Sequence, residues 1–143
     1  MSDTAGVDEG YRRSSPWPVF VAFGLAISEV GVFVPLFPVA VGGLLLFTGS
    51  IAGILEESGY VDDAWTTFGA LGAGLIALGV GLYLYTGAPL TVETLTRVIE
   101  VGAQPGGGTV AYRALAIVTA GLFGVVGALV GTLSAAPDRT ADW

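Results

Sequence analysis

The sequence contains no cysteine and no histidine, and its single methionine is Met1. Thiolate nucleophiles, disulfides, zinc clusters and iron–sulfur ligation are thereby excluded. So are histidine-ligated haem and histidine-based copper sites. Neither a Ser-His-Asp nor a Cys-His arrangement can be assembled from these side chains. No catalytic, cofactor-binding or metal-ligating residue is therefore expected, and the chain is not expected to be an enzyme. Lysine is absent as well: the five basic residues are all arginines, set against 12 acids, for a net charge of −7 and a pI near 4.1. Phosphate recognition needs a basic surface, so no nucleic-acid partner is expected. Charge of either sign is scarce, at 12% of residues where a soluble domain carries about 25%.

Apolar residues fill that space. They make up 53% of the 143 residues, and the mean hydropathy is +0.78. A membrane-spanning helix needs about 20 mostly apolar residues, and four segments meet that need: 16–34, 36–55, 65–85 and 112–133. The expected fold class is an all-α membrane protein of four transmembrane helices. A polar arm (1–15) precedes this 16–133 domain and a polar tail (134–143) follows it. Pro16 and Pro18 suit a helix start. Pro35 and Pro38 punctuate the first junction, because the residue before a proline avoids the helical region, so the first two spans form a tight hairpin. The first span is not read as a cleaved signal: its apolar run is long, it contains Glu29, and no small-residue cleavage site follows.

Tyr11, Trp17, Tyr60 and Trp65 fall at one expected membrane interface, and Tyr83, Tyr85 and Tyr112 at the other. Arg12, Arg13 and Arg139 share one side, against Arg97 and Arg113 on the other. That balance favours a multi-pass protein of the cell membrane with both termini cytoplasmic. The connection between the third and fourth spans is too long for a turn. Within it Val92, Leu95, Val98 and Ile99 follow helical spacing, with Glu93 and Arg97 paired on the polar side. This predicts a short amphipathic helix, lying at the outer interface or against a partner, or capping the loop in solvent. Pro105-Gly106-Gly107-Gly108 lacks the Lys-Ser/Thr ending of a phosphate loop and reads as a hinge.

Two features stand out inside the spans. Small residues let helix backbones approach closely in lipid, where water gives no hydrophobic push. The fourth span carries Ala116, Ala120, Gly124 and Ala128 at intervals of four, and beside them Gly127 and Gly131; the second has Gly49 and Gly53. These are the expected helix-packing interfaces, with packing inside the chain as the leading reading and the fourth span the one placed to face another subunit in the alternative. Glu29, beside Ser28, is the only ionisable residue read as lying deep within a span, and no arginine is expected at a matching depth. An intramembrane carboxylate marks a functional site by default: a proton relay, a polar lock to another subunit, or a protonated acid bonded to a backbone carbonyl or to Ser28 of a neighbouring copy.

The stretch Tyr11-Arg12, Ser14-Ser15-Pro16-Trp17-Pro18, Phe20-Val21-Ala22, then Ser28-Glu29-Val30-Gly31, Phe37-Pro38-Val39-Ala40-Val41-Gly42-Gly43 and Glu56-Glu57-Ser58-Gly59-Tyr60 resembles a family of small membrane proteins of halophilic archaea. These are the cox cluster proteins, whose genes accompany those of a haem–copper terminal oxidase. The acidic, lysine-free polar segments are similar to the proteins of such organisms. The resemblance implies association with cytochrome c oxidase of the respiratory chain, and it carries no catalytic residues. The expected function is a non-catalytic accessory subunit, with membrane lipids and the other oxidase subunits as partners. The alternatives are a transient assembly factor and a small proton-coupled transporter using Glu29.

Overall fold

A computed structural model describes residues 14–102 and 109–135. The arm up to residue 13 with Tyr11, Arg12 and Arg13, the Pro105–Gly108 hinge, and the tail from residue 136 with Arg139 lie outside the described residues. Five helices follow one another: α1 (Trp17–Phe33), α2 (Phe37–Glu57), α3 (Ala64–Tyr85), α4 (Val92–Gly102) and α5 (Val110–Ala135). Among the described residues there is no strand.

The helix ends follow local chemistry. Pro18 stands in the first turn of α1 and Pro38 in that of α2, where a missing N–H costs nothing. Asp63 caps α3, accepting from the Trp65 and Thr66 backbone N–H groups at 3.2 and 2.9 Å. The α2 terminus closes with Gly59 at φ +77, where the Tyr60 N–H reaches the Leu55 carbonyl at 2.9 Å and the Gly59 N–H reaches Glu56 at 3.0 Å. Gly87, at φ +72, ends α3 in the same left-handed conformation, which a Cβ would strain.

α2, α3 and α5 are long and apolar enough to cross a membrane. The first span is shorter than expected. α1 has 17 residues, about 25 Å at 1.5 Å per residue, because Pro35 stops it. The second and fourth spans are longer than expected: α2 runs on through Glu56 and Glu57, and α5 starts at Val110 and ends at Ala135.

α1 packs along α2 and α3 along α5, giving two antiparallel pairs that meet through α2. Both pairs share one device. Trp17, Gly24 and Gly31 recur at seven-residue intervals in α1, as do Trp65, Gly72 and Gly79 in α3. Seven-residue spacing keeps one seam of a helix against its neighbour. In each pair the tryptophan lies over a glycine of the partner helix: Trp17 over Gly53, Trp65 over Gly131. The glycines between let the backbones touch. A Cβ on Gly24 would stand 2.9 Å from the Gly43 carbonyl oxygen, and one on Gly72 would stand 2.8 Å from that of Gly121.

The two pairs come together over one half of their length. There Val32, Ala40, Val41, Tyr112, Ala116 and Ala120 form a buried core, flanked by Phe37, Leu44 and Val98. Apart from Tyr83 and Tyr112 the interior is made of small and medium side chains, while Phe20, Phe23, Leu78, Leu122, Phe123, Val126 and Leu129 point outward. Large apolar residues outside and small ones inside suit lipid as solvent, since packing rather than exclusion of water joins the helices.

Candidate functional site

Glu29 sits four residues before the end of α1, and Arg113 three residues after the start of α5. Antiparallel travel brings both to the same end of the bundle. The Arg113 guanidinium donates through Nη1 to Glu29 Oε1, and through Nη2 to Oε2 at 3.0 Å. This is the fork-to-fork geometry in which arginine binds carboxylate most strongly. The expectation that no arginine matches the depth of Glu29 is thus overturned. α5 begins earlier than its hydropathy suggested, and Glu29 lies midway between the centre of α1 and its end. The signal in the sequence was the shared distance of each residue from its helix terminus.

The pair is half exposed, 43% for Arg113 and 50% for Glu29, and it bridges the two helix pairs. Ser28 does not join it. It is buried, with its backbone directly against Gly43 of α2, because consecutive residues point about 100° apart around a helix. Ser28 and Glu29 therefore serve different contacts, one within the first pair and one between pairs.

The outer belt also needs correction. Tyr83 and Tyr112 are buried at 2% and 0% exposure; of the three expected there, Tyr85 alone is exposed. Tyr83 donates its hydroxyl to the Pro89 carbonyl at 3.1 Å. Tyr112 meets Phe37 edge-to-face, with ring centroids 5.6 Å apart, and its hydroxyl finds no partner among the described residues. Periodicity marks tyrosine as interfacial by type, whereas its final position depends on which helix face turns inward.

The small-residue ridge of α5 is an interface within the chain. Ala116, Ala120 and Ala128 are buried, and so are Gly124 and Gly131. Gly124 faces Gly72 and Phe68 of α3, while Gly127 touches only the Phe68 ring, 3.5 Å from where its Cβ would lie. The ridge thus packs within the chain: Gly124 and Ala128 meet α3, while Ala116 and Ala120 lie in the core shared with α1 and α2. Gly49 and Gly53 differ from the rest. No helix backbone comes close to either: Gly53 seats the Trp17 ring and Gly49 looks toward the Phe68 ring.

In α4, Leu95 and Val98 turn partly inward, Val92 and Ile99 are exposed, and Val98 packs on the core. Gly102 lies against the Tyr112 ring, with space for no side chain. Arg97 pairs with Glu93 at 3.1 Å on the solvent face. Among the described residues no group of three or more acidic side chains is placed to hold a metal ion.

At the other end, a second polar cluster ties the helix termini. Ser15 donates to Glu57 at 2.6 Å, and the Ala64 N–H reaches Glu56 at 3.3 Å. The Thr66 hydroxyl and the two capped N–H groups hold Asp63 below the ordinary aspartate pKa.

A helical bundle with long apolar helices, a small-residue interior and an interhelical ion pair is of the membrane-protein type. The chain belongs to a family of unknown function (DUF7541), whose model matches residues 1–134. No curated protein and no solved structure matches it.

Proposed function

We propose that the chain is a non-catalytic accessory subunit that stabilises or assembles a haem–copper terminal oxidase of the respiratory chain, as its resemblance to the cox cluster proteins implies. In this reading all four long helices cross the membrane, α1 included. α1 lies along the 21-residue α2 with Trp17 against Gly53, so the two cover similar depths. Both termini and the connection after α2 then face the cytoplasm, and α4 lies outside.

The observation that carries the scaffold reading is the Glu29–Arg113 pair. A proton-coupled carrier needs a carboxyl free to load and release a proton within the span. Here both carboxylate oxygens are engaged by one guanidinium of the same chain. That arrangement favours a structural part over a transporter. The outward apolar side chains of α1 and α5 offer surface for neighbouring subunits and for lipid.

The test is purification of a tagged chain in mild detergent, read by haem absorbance and mass spectrometry. The expected outcome is stoichiometric recovery of oxidase subunits with haem. Substoichiometric recovery, confined to immature oxidase, would make the chain an assembly factor. Recovery without any oxidase subunit would overturn the proposal. Cysteine labelling of Ser2→Cys and Thr109→Cys in intact cells tests orientation, with label expected only at position 109.

A further inference from the structure

Of the five helices described, α4 alone carries sharply different faces, and both of its ends are tied to buried tyrosines. Before it, the Pro89 carbonyl accepts from the Tyr83 hydroxyl, in the last turn of α3, at 3.1 Å. Thr91 then caps it, accepting from the Thr94 N–H at 3.2 Å. At its far end Gly102 lies on the Tyr112 ring, in the first turn of α5, where any Cβ would overlap the ring. The two tyrosines stand level. α3 and α5 run antiparallel with Trp65 over Gly131 and Gly72 against Gly124, and on that register Tyr83 comes opposite Tyr112. α4 has 11 residues and is about 16 Å long. It therefore lies across the end of the bundle, parallel to the plane of a membrane that α3 and α5 cross.

Other groups mark this level as the edge of the hydrocarbon. Tyr85 is exposed here and the Glu29–Arg113 pair is half exposed, as suits aromatic rings and charged side-chain ends at a membrane boundary. Successive residues of α4 turn by about 100°. Leu95, Val98 and Gly102 thus form its inward side, with Glu93, Arg97 and Glu100 opposite. Val92 and Ile99, seven residues apart, lie about a quarter-turn from the inward side, exposed beside the bundle. We propose that this edge inserts among lipid acyl chains at the membrane boundary, so that α4 anchors its end of the bundle at a fixed depth. Lipid is the occupant because α4 lies at the level where lipid surrounds the bundle, and its apolar edge faces sideways rather than away from the membrane. The seat is apolar, not electrostatic: Glu93 and Arg97 pair at 3.1 Å, leaving Glu100 as the remaining charge of the helix. This anchoring depends on α3 and α5 crossing a membrane, and on no oxidase subunit.

The chain has no cysteine, so single nitroxide labels can be placed through Val92→Cys, Glu93→Cys, Arg97→Cys and Ile99→Cys in the full-length protein. All four positions are exposed, which leaves the packed side of α4 untouched. Each variant is reconstituted alone in phosphatidylcholine vesicles, which carry no net charge. Power saturation of the spin label then gives its collision rates with oxygen, which concentrates in hydrocarbon, and with a water-soluble nickel chelate. Labels at positions 92 and 99 are expected to meet oxygen more than nickel, and labels at 93 and 97 the reverse. Nickel prevailing at 92 and 99 would overturn the proposal and make α4 a solvent-exposed cap. Weak collision with both reagents there would also overturn it, assigning the edge to a contact with protein. Because the vesicles hold no oxidase subunit, the outcome is separate from that of the co-purification.

Discussion

Arg113 of α5 closes on both carboxylate oxygens of Glu29 in α1, joining positions 84 residues apart. Few other contacts link these two helices, which belong to different pairs. The ion pair is therefore a clasp between halves that are otherwise joined through α2.

Removing one partner should cost more than removing both. Glu29→Leu strands a guanidinium, and losing hydrogen bonds to a charged group costs about 1.5–3 kcal/mol. Exposure of nearly half of each side chain places the expected loss toward the low end. In a double-mutant cycle with Glu29→Gln and Arg113→Gln, a coupling of at least about 0.5 kcal/mol is expected, read from unfolding in mixed micelles. Additive effects would show that the pair does not form. Turnover of the purified oxidase should stay near normal in Glu29→Gln, whereas a fully assembled complex without turnover would assign Glu29 to a proton path.

The glycines should divide by what lies over them. Gly72→Leu or Gly121→Leu drives a side chain into the facing helix, and overpacking costs about 1–3 kcal/mol. At Gly74 and Gly81 a Cβ meets nothing within 4 Å, so leucine there should be neutral or should stabilise, by up to about 1 kcal/mol of helix propensity. Thermal unfolding of the four variants in one detergent distinguishes the groups. Equal destabilisation would mean that α3 and α5 do not pack on this seam.

The two buried tyrosines should respond differently to loss of the hydroxyl. Tyr83→Phe removes the bond to Pro89 and should cost about 0.5–1.5 kcal/mol. Tyr112→Phe removes a hydroxyl without a partner among the described residues and should be neutral or stabilising. Tyr112→Ala, by contrast, opens a cavity beside Phe37 and should cost about 3–5 kcal/mol. A penalty for Tyr112→Phe matching that of Tyr83→Phe would mean that its hydroxyl is bonded.

Asp63 supplies a pH dependence whose sign is fixed. Its folded pKa is lowered by the Thr66 hydroxyl and the capped N–H groups. The stability it contributes is therefore present above the unfolded aspartate pKa, near 4, and is lost as pH falls through the folded value. Melting curves from neutral pH to about pH 2 should show wild type losing more stability than Asp63→Asn, which keeps an oxygen cap without the charge. Parallel curves would mean that the cap is not charged in the folded state.

Much of the architecture was legible along the chain because it is local. Long apolar runs set the helices and Pro35 ended the first, whereas the cap at Asp63 and the left-handed Gly59 and Gly87 came from the structure. The amphipathic α4 was visible for the same reason, since its polar and apolar faces differ. The long helices are apolar on every side, so hydropathy gave no direction for inside and outside. Only the packed bundle decided that the Ala116–Ala128 ridge turns toward the other helices of the chain, that Tyr83 and Tyr112 are interior, and that Gly49 opens onto a cavity. The rotation of each helix about its axis is set by how small residues on several helices interlock at once, and that is also why Arg113, rather than another subunit, meets Glu29.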